Sequence, residues 1–406
     1  MTRTAQRAEL RSSRVIGCFA VGYVVLTGAL LFGAAHPRDL HYRFRGPAWV
    51  DAWYRLDSDW YTAIVESGYH YIPGVQSPVA FFPGYPLTIR LLRPLVANPE
   101  VAGHLVTLSC GLGALLLLGR WARRWLSPRA ATTTIAVVLL YPYALFVYGA
   151  VYADALFLLC VVGAFLLVER HWYAAAGLVG AVATATRPVG IALVVGLAVR
   201  VIEQYAEQRR AVDSVEADQP ASGRMTRVGL TELLRGALKV PLRRYVVVVS
   251  GLGLAAWMAF LWSAFGDPLA FVNAESAWGQ AAGPETWFKV TFFRLMVEGS
   301  VNIRMLLLAQ AGVLLVALLM LPRVQRRFGW GYLAYTLVVL GIPLVGTSDF
   351  LGCGRYVLAA FPALAAFADL LSEPGRARWV RPVVLSASGG AMLVATYFFG
   401  QGILIS

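Results

Sequence analysis

The sequence predicts an all-α polytopic membrane protein with about eleven transmembrane helices, in a range of roughly nine to thirteen, within one integral membrane domain over residues 1–406. Hydrophobic residues fill 58% of the chain and charged residues only 14%, a composition typical of membrane proteins. Six windows are nearly free of charge and long enough for a hydrocarbon core of roughly 30 Å: 15–35, 101–118, 245–265, 306–321, 330–346 and 382–400.

Arginine sets the predicted orientation of these helices. The formal net charge is +13, nearly all of it from arginine, and it concentrates in short segments between apolar windows, as in cytoplasmic loops. This distribution argues against a nucleic-acid partner. The arginines before the first window place the N-terminus in the cytoplasm, and we interpret this window as a retained helix and not a cleaved signal. The four cysteines show no CxxC spacing, so no disulfide framework or zinc site is expected.

The first half of the chain then alternates across the membrane. We expect residues 36–100 to form a long first extracytoplasmic loop that carries short amphipathic helices and the catalytic segment. The second window returns to a basic cytoplasmic loop, 120–129. The span 131–148, kinked at Pro142, goes out, and 155–168 comes back.

The number of membrane crossings before the basic loop 202–244 constrains the helices that precede it. The apolar windows 173–186 and 189–201 flank the sequence TRP, and we predict two half-depth or kinked helices there, with Arg187 near the outer side. Only that arrangement keeps the basic and polar loop 202–244 in the cytoplasm. Further along, 266–300 is expected to be an extracytoplasmic loop, and the last helix ends outside.

Unusual residues for a membrane segment collect at the outer face in this topology. They comprise a proline-rich aromatic segment, 81–86, and the following side chains: Asp57, Asp59, Tyr152, Asp154, Arg187, Asp267, Trp278 and Arg355. Ionisable groups close to hydrocarbon are costly, so their concentration at one face predicts a functional site.

The stretch RLDSDWYTAIVESGYHY, residues 55–71, predicts a short amphipathic helix at the membrane surface. Apolar residues recur within 58–67 at steps of three and four, and Gly68 is a natural stop. Asp57 falls at the N-cap, where a carboxylate commonly accepts from backbone N–H groups, so capping and catalysis are both open for it. Asp59 points to another face of the helix and cannot share the capping role.

The other outer residues also allow two interpretations. Arg187 and Arg355 fit either a helix C-terminal cap or a phosphate ligand. The segment 81–86 is a rigid turn that packs against the helix ends or lines a lipid groove. Asp267 in FGDPLAF is expected to make a turn. His36 and His41 are expected to be solvated loop histidines.

A family resemblance narrows these alternatives. The runs LDSDWYTAIVESGY and AFFPGYPL resemble the signature of the PIG-V-type mannosyltransferases, which belong to the GT-C superfamily of polytopic glycosyltransferases. Weaker similarities follow in order: YADALF at 152–157, ATRPVGIAL at 185–193, GDPLAF with Trp278, and GRYVLAAFP at 354–362. The chain departs from the pattern at Leu56, where tryptophan is usual, and at Trp60, where histidine is common.

The resemblance implies a GT-C-like fold and transfer of a hexosyl residue, mannose, from a polyprenyl-phosphate sugar on the extracytoplasmic side. Inverting transfer needs a carboxylate base and positive charge for the leaving phosphate. The implied base is Asp57, with Asp59 second, and the implied phosphate ligands are Arg187 and Arg355. The substrate groove is expected to contain Trp60, Tyr61, Phe81, Phe82, Tyr85, Tyr152, Asp154 and Trp278.

No cofactor is required in this interpretation, because a lipid phosphate is already a good leaving group; a divalent metal is compatible but has no ligand pattern in the sequence. The expected partners are the lipid-linked donor, membrane lipids and an acceptor glycolipid, glycan or protein. The arginine-rich, lysine-poor composition indicates a bacterium with GC-rich DNA and hence the plasma membrane. Two other functions stay open: a transporter or flippase of a lipid-linked substrate, which Arg187 between two half-helices would suit, and an inactive scaffold subunit.

Overall fold

A computed structural model of the chain describes residues 3–36, 46–216, 228–280 and 283–405, and every regular element in these ranges is a helix. His41 and parts of the three predicted loops 36–100, 202–244 and 266–300 lie outside the described residues. The α-helices are, in chain order, Arg3–Ala34, Ala48–Asp51, Ser58–Ser67, Gly84–Leu92, Pro99–Trp125, Pro128–Leu139, Leu145–Tyr148, Asp154–Val168, Tyr173–Thr184, Ile191–Glu216, Leu230–Ala237, Leu252–Phe265, Ala270–Glu275, Pro284–Trp287, Val290–Glu298, Val301–Leu319, Leu321–Phe328, Trp330–Gly346, Cys353–Ala359, Phe361–Leu371 and Val380–Gly400. Four 3-10 helices join them: Pro78–Ala80, Pro188–Gly190, Leu242–Gly251 and Ser276–Trp278.

Six helical segments among the described residues are long and apolar enough to cross a membrane: Ser12–Ala34, Pro99–Trp125, Pro188–Asp213, Leu242–Phe265, Val301–Leu319 and Val380–Gly400. A seventh candidate is the pair Cys353–Ala359 and Phe361–Leu371, which is bent by 78°. Three further apolar helices are shorter: Asp154–Val168, Tyr173–Thr184 and Trp330–Gly346. The all-α polytopic architecture is therefore observed, whereas the predicted count of about eleven spans is not confirmed.

The short helix Asp154–Val168 forms the centre of the bundle. Its sequence, DALFLLCVVGAFLLV, is apolar on every face, which is the pattern of a helix buried all round. It packs between Pro99–Trp125 on one side and Tyr173–Thr184 on the other. The first residue of this central helix is an aspartate, which the surrounding helices bury.

Two predicted spans differ from the structure. The segment 131–148 is not one kinked helix, because Pro128–Leu139 ends before Pro142 and a separate turn, Leu145–Tyr148, follows. Of the two half-depth or kinked helices predicted around TRP, the second is longer than the predicted 189–201. The helix Ile191–Glu216 runs 26 residues because no proline interrupts it.

Buried ion pairs fix that long helix at the end of the bundle away from the central aspartate. Arg200 donates from Nε to Glu169 Oε1 at 2.8 Å and from Nη1 to Glu203 Oε2 at 2.9 Å. Glu203 also accepts the backbone N–H of Trp330 at 2.9 Å, so it caps the start of the helix Trp330–Gly346. This network joins the middle of the long helix to the ends of two others and satisfies charges that would otherwise be costly to bury.

Close helix packing in the centre predicts one sensitive glycine. A Cβ at Gly111 would collide with the backbone carbonyl oxygen of Val147. Gly111→Ala is expected to lower stability by about 1–3 kcal/mol, since the two backbones would have to separate. Gly312→Ala is the matched control because nothing lies within 4 Å of its Cβ position. The check is the thermal unfolding midpoint of both variants in detergent, and equal midpoints would contradict the packing.

Candidate functional site

Hydrogen bonds to neighbouring backbone and to Tyr152 hold the segment around Asp57 in place. Arg55 is buried and donates from Nε to the carbonyl of Gly400 at 3.2 Å and from Nη1 to the carbonyl of Tyr54 at 2.8 Å. Leu56 then adopts a positive φ of 56°, which is unusual for a residue other than glycine. The backbone N–H of Asp57 donates to the hydroxyl of Tyr152 at 3.1 Å. These contacts fix where the helix Ser58–Ser67 begins and where the Asp57 side chain points.

The Asp57 side chain does not cap the helix. Asp57 is the N-cap residue of Ser58–Ser67, but its carboxylate accepts no hydrogen bond from the backbone of the first turn. Instead Oδ2 accepts from Arg355 Nη1 at 3.2 Å, and 31% of the side chain stays exposed. The capping interpretation of Asp57 is therefore wrong, and the carboxylate is available at the edge of the bundle.

Asp154 lies between the two arginines that the sequence singles out. Its Oδ1 accepts from Arg187 Nη1, and its Oδ2 accepts from Arg355 Nη2 at 2.8 Å and from Nε at 3.2 Å. Arg187, Asp154, Arg355 and Asp57 thus form a row of alternating charge, which we call the charge row. Both guanidinium groups donate to carboxylates, which is not the geometry of a helix C-terminal cap.

Breaks in the helices place the two arginines. Pro188 forces Arg187 into an extended conformation, with φ −153° and ψ 145°, between Tyr173–Thr184 and the following helix. Arg355 lies in the first turn of Cys353–Ala359, directly after Gly352, which has a φ of 84°. The Arg355 guanidinium stacks over the rings of Phe146 and Tyr152, at 4.9 and 4.7 Å from the ring centroids. Such stacking favours a buried guanidinium.

Burial has the largest effect on the pKa of the Asp57 carboxyl group. It raises the pKa of Asp57 above the ordinary aspartate value, while the positive charge of Arg355 opposes this shift and the negative charge of Asp154 adds to it. A carboxylate with a raised pKa is a stronger base than an ordinary surface aspartate. The arrangement therefore suits proton abstraction from a hydroxyl group.

Aromatic rings form a wall beside Asp57. Trp60 stacks on Phe81 with ring centroids 5.6 Å apart, and Trp278 packs edge-on against both at 5.8 and 6.1 Å. Tyr61 contacts Phe81 at 5.3 Å and Tyr152 at 6.2 Å. We call Trp60, Tyr61, Phe81 and Trp278 the aromatic wall. Its members come from three chain segments that the sequence assigns to the outer face.

Other predicted site residues are buried behind this group or lie apart from it. Phe82 is buried against Trp257 and Phe271 in a second hydrophobic cluster. Tyr85 is fully buried behind the aromatic wall: its ring packs edge-on against Tyr61 with centroids 5.0 Å apart, and its hydroxyl donates to the carbonyl of Gly103 at 2.8 Å. Asp59 accepts from the Tyr54 hydroxyl at 3.0 Å and forms no part of the charge row.

The turn residue Asp267 is also separate, because it accepts the N–H of Leu269 at 2.8 Å and the side-chain amide of Asn273 at 2.7 Å. Within the described ranges, no group of three His, Cys, Asp or Glu side chains is arranged to hold a metal ion. The carboxylates of Asp57 and Asp154 face arginine instead.

Sequence reasoning missed Glu275. It ends the short helix Ala270–Glu275 three residues before Trp278, and its carboxyl lies within electrostatic reach of Asp57 and Arg355. Burial, together with the negative charge of Asp57, raises the pKa of Glu275 to about 7. An acid one helical turn before an outer-loop tryptophan was the available signal, since residues at i and i+3 share a face.

The charge row predicts a large cost for removing its central acid. Asp154→Asn leaves Arg187 and Arg355 buried without their shared carboxylate, and we expect a loss of about 3–5 kcal/mol. Asp59→Asn is the control and should lose about 1 kcal/mol or less, because it perturbs one partly exposed hydrogen bond. Thermal unfolding in detergent measures both; similar midpoints for the two variants would refute the pairing.

The raised pKa of Glu275 predicts a pH-dependent stability. The folded state holds this proton more tightly than the unfolded chain does, so the stabilisation is complete below the ordinary pKa of 4.5 and is lost as pH rises through about 7. Relative to Glu275→Gln, the wild type should lose on the order of 2 kcal/mol over this interval, after allowance for partial solvent screening. Unfolding midpoints of both proteins from pH 4.5 to 8 provide the check, and parallel curves would contradict it.

Comparisons with known proteins add limited information. No family model and no curated protein sequence matches this chain. The crystal structure of ArnT from Cupriavidus metallidurans bound to undecaprenyl phosphate aligns with a TM-score of 0.49 and 15% identity, over 97% of this chain and 77% of that one. The archaeal oligosaccharyltransferase AglB from Archaeoglobus fulgidus, in complex with an inhibitory peptide and a dolichol-phosphate, aligns with a TM-score of 0.41 and 14% identity, over 94% of this chain and 55% of that one. At these scores the likeness by itself establishes neither a shared fold nor a shared activity.

Proposed function

We propose that this protein is a membrane glycosyltransferase, related to the PIG-V-type and GT-C enzymes, that transfers mannose with inversion from a polyprenyl-phosphate donor to an acceptor hydroxyl. The reaction would take place on the extracytoplasmic side of a bacterial plasma membrane. One observation carries the proposal: the accessible carboxylate of Asp57 lies between an aromatic wall and a buried pair of arginines. A base, a surface for a sugar and positive charge for a phosphate are the three parts that this transfer needs.

Asp57 is the general base in this proposal. As the acceptor oxygen attacks the anomeric carbon, the Asp57 carboxylate takes the hydroxyl proton and the bond to the lipid phosphate breaks. The base must be ionised before it can act, so activity should rise with pH through the raised pKa of Asp57. Its partial exposure leaves room for an acceptor to approach.

Arg187 is the better placed of the two phosphate ligands. Arg355 already donates to both Asp154 and Asp57 through Nε, Nη1 and Nη2. Arg187 donates to Asp154 from Nη1, and the described residues offer its other N–H groups no hydrogen bond. A guanidinium has five N–H donors, so Arg187 keeps donors for phosphate oxygens while Asp154 holds it in place.

The transporter alternative loses its main support. It depended on Arg187 between two half-depth helices, but the second of these is the long helix Ile191–Glu216. In addition, Arg187 is paired with Asp154 at one end of the bundle. An inactive scaffold would keep the same side chains, so only a transfer assay separates it from an enzyme.

The test is sugar transfer by the purified protein. Synthetic polyprenyl-phosphate mannose is supplied with a panel of glycolipid, glycan and protein acceptors, and polyprenyl-phosphate glucose tests the choice of sugar. Asp57→Asn should lower transfer by about 10²–10⁴-fold, because it removes the base. Asp59→Asn should retain most of the activity, since Asp59 lies outside the charge row. Both variants are first shown to be folded from their unfolding midpoints.

Two results would contradict this assignment. Equal loss in both aspartate variants would mean that Asp57 is not the specific base. No transfer by the wild type to any acceptor, with either donor, would favour the scaffold.

A further inference from the structure

The segment that carries Glu275 closes one side of the site. Phe271, on the first turn of Ala270–Glu275, packs edge-on against Phe82 with centroids 5.1 Å apart. At the other end of the segment, the Trp278 ring rests on Trp60 and Phe81 of the aromatic wall. Gln280 then accepts the backbone N–H of Ser348 at 2.8 Å. The segment is thus held at three points, and Glu275 lies between them.

Glu275 is a partly buried acid at this place without a protein partner. The described residues offer its carboxyl no hydrogen bond or ion pair, although Asp57, Arg355 and Tyr356 lie within electrostatic reach. Burial of a carboxyl group is unfavourable unless it is hydrogen-bonded. Its pKa of about 7 reflects this cost. A ligand that donates hydrogen bonds would remove the penalty.

The surrounding charges define the chemistry of such a ligand. The negative charge of Asp57 nearby disfavours a phosphate against Glu275. Trp278, three residues further along the same segment, adds a partly exposed apolar ring. A neutral molecule with hydroxyl donors and an apolar C–H face, such as a hexose, fits both groups.

The position of Glu275 indicates that its ligand would be the donor sugar and not the acceptor. Asp57 is the base that meets the acceptor hydroxyl, and Arg355 belongs to the arginine pair assigned to the leaving phosphate. Glu275 is electrostatically coupled to both groups. The sugar that lies between base and leaving group is the one being transferred.

We therefore propose, on the basis of the proposed transferase function, that Glu275 binds hydroxyl groups of the donor sugar and, together with Trp278, selects that sugar. Glu275 is a positioning and specificity residue in this role, and it takes no part in proton transfer. The lipid phosphate is recognised elsewhere, by the arginines. Removal of Glu275 should therefore weaken recognition of the sugar but not of the lipid phosphate.

Equilibrium binding to two lipids in detergent micelles tests this separation: polyprenyl-phosphate mannose and the same polyprenyl phosphate without a sugar. Glu275→Ala should raise the Kd of the mannose lipid by about 10-fold, the size expected for loss of a charged hydrogen bond. The Kd of the sugar-free lipid should change by less than about twofold. Glu275→Gln keeps the shape of the side chain and serves if the alanine variant fails to fold. Glu285→Ala, an exposed acid in the same loop, is the matched control.

Each outcome separates the inference from the proposed function. Equal weakening of both lipids in the folded variants would mean that Glu275 only supports the loop, and would overturn the inference while leaving the transferase proposal intact. Unchanged binding of the mannose lipid in both Glu275 variants would overturn it as well. Failure of the wild type to bind either lipid would instead reject the proposed function, and the inference with it.

Discussion

The burial of Asp154 between Arg187 and Arg355 is the constraint on which the rest of the site depends. The Asp154 side chain is 2% exposed, and the two arginine side chains are 10% and 13% exposed. Charges this deeply buried are tolerated only when they are paired and hydrogen-bonded. The four members of the charge row come from four separate segments, so these segments have to pack against one another for the charges to be paired. The same condition sets the distance between the Asp57 carboxylate and the two arginines.

Each member of the row lies at or near the start of a helix, close to irregular backbone. Asp57 follows a residue at positive φ, Arg187 precedes a proline in a break between helices, and Arg355 lies three residues after Gly352, which is at positive φ. The central helix begins at Asp154, where its N-terminal dipole favours an acid. Non-helical backbone at membrane depth is tolerated where protein covers it. The breaks between helices therefore bring the four side chains of the charge row close to one another.

Local sequence patterns predicted some of this arrangement and missed the rest. The helix at 58–67 follows from periodicity, and the alternation of charge between loops predicted that Asp57, Arg187 and Arg355 lie on one side of the bundle. The pairing of Asp154 with Arg187 and Arg355 spans 33 and 201 positions, and no local rule reports contacts of that separation. Asp57 shows the same limit. Its position is that of a cap, but a tertiary contact with Arg355 takes its carboxylate away from the helix. The length of Ile191–Glu216 was underestimated because topological parity constrains the number of crossings and not the depth of each helix.

The two ends of the central helix suggest a division between rigid and adjustable parts of the site. Asp154 starts this helix and Glu169 directly follows it, and each acid is paired with buried arginine. Fifteen residues of apolar helix, about 22 Å long, separate the charge row at Asp154 from the Arg200 network at Glu169. Because one rigid helix joins the two clusters, neither can shift without disturbing the other. Asp154 and the two arginines paired with it are therefore preorganised, which is the condition for effective electrostatic stabilisation. The Glu275–Trp278 segment instead meets the aromatic wall through ring contacts, and Glu275 has no ion pair among the described residues. Because ring contacts are less directional than paired charges, the position of Glu275 is less tightly constrained than that of Asp154.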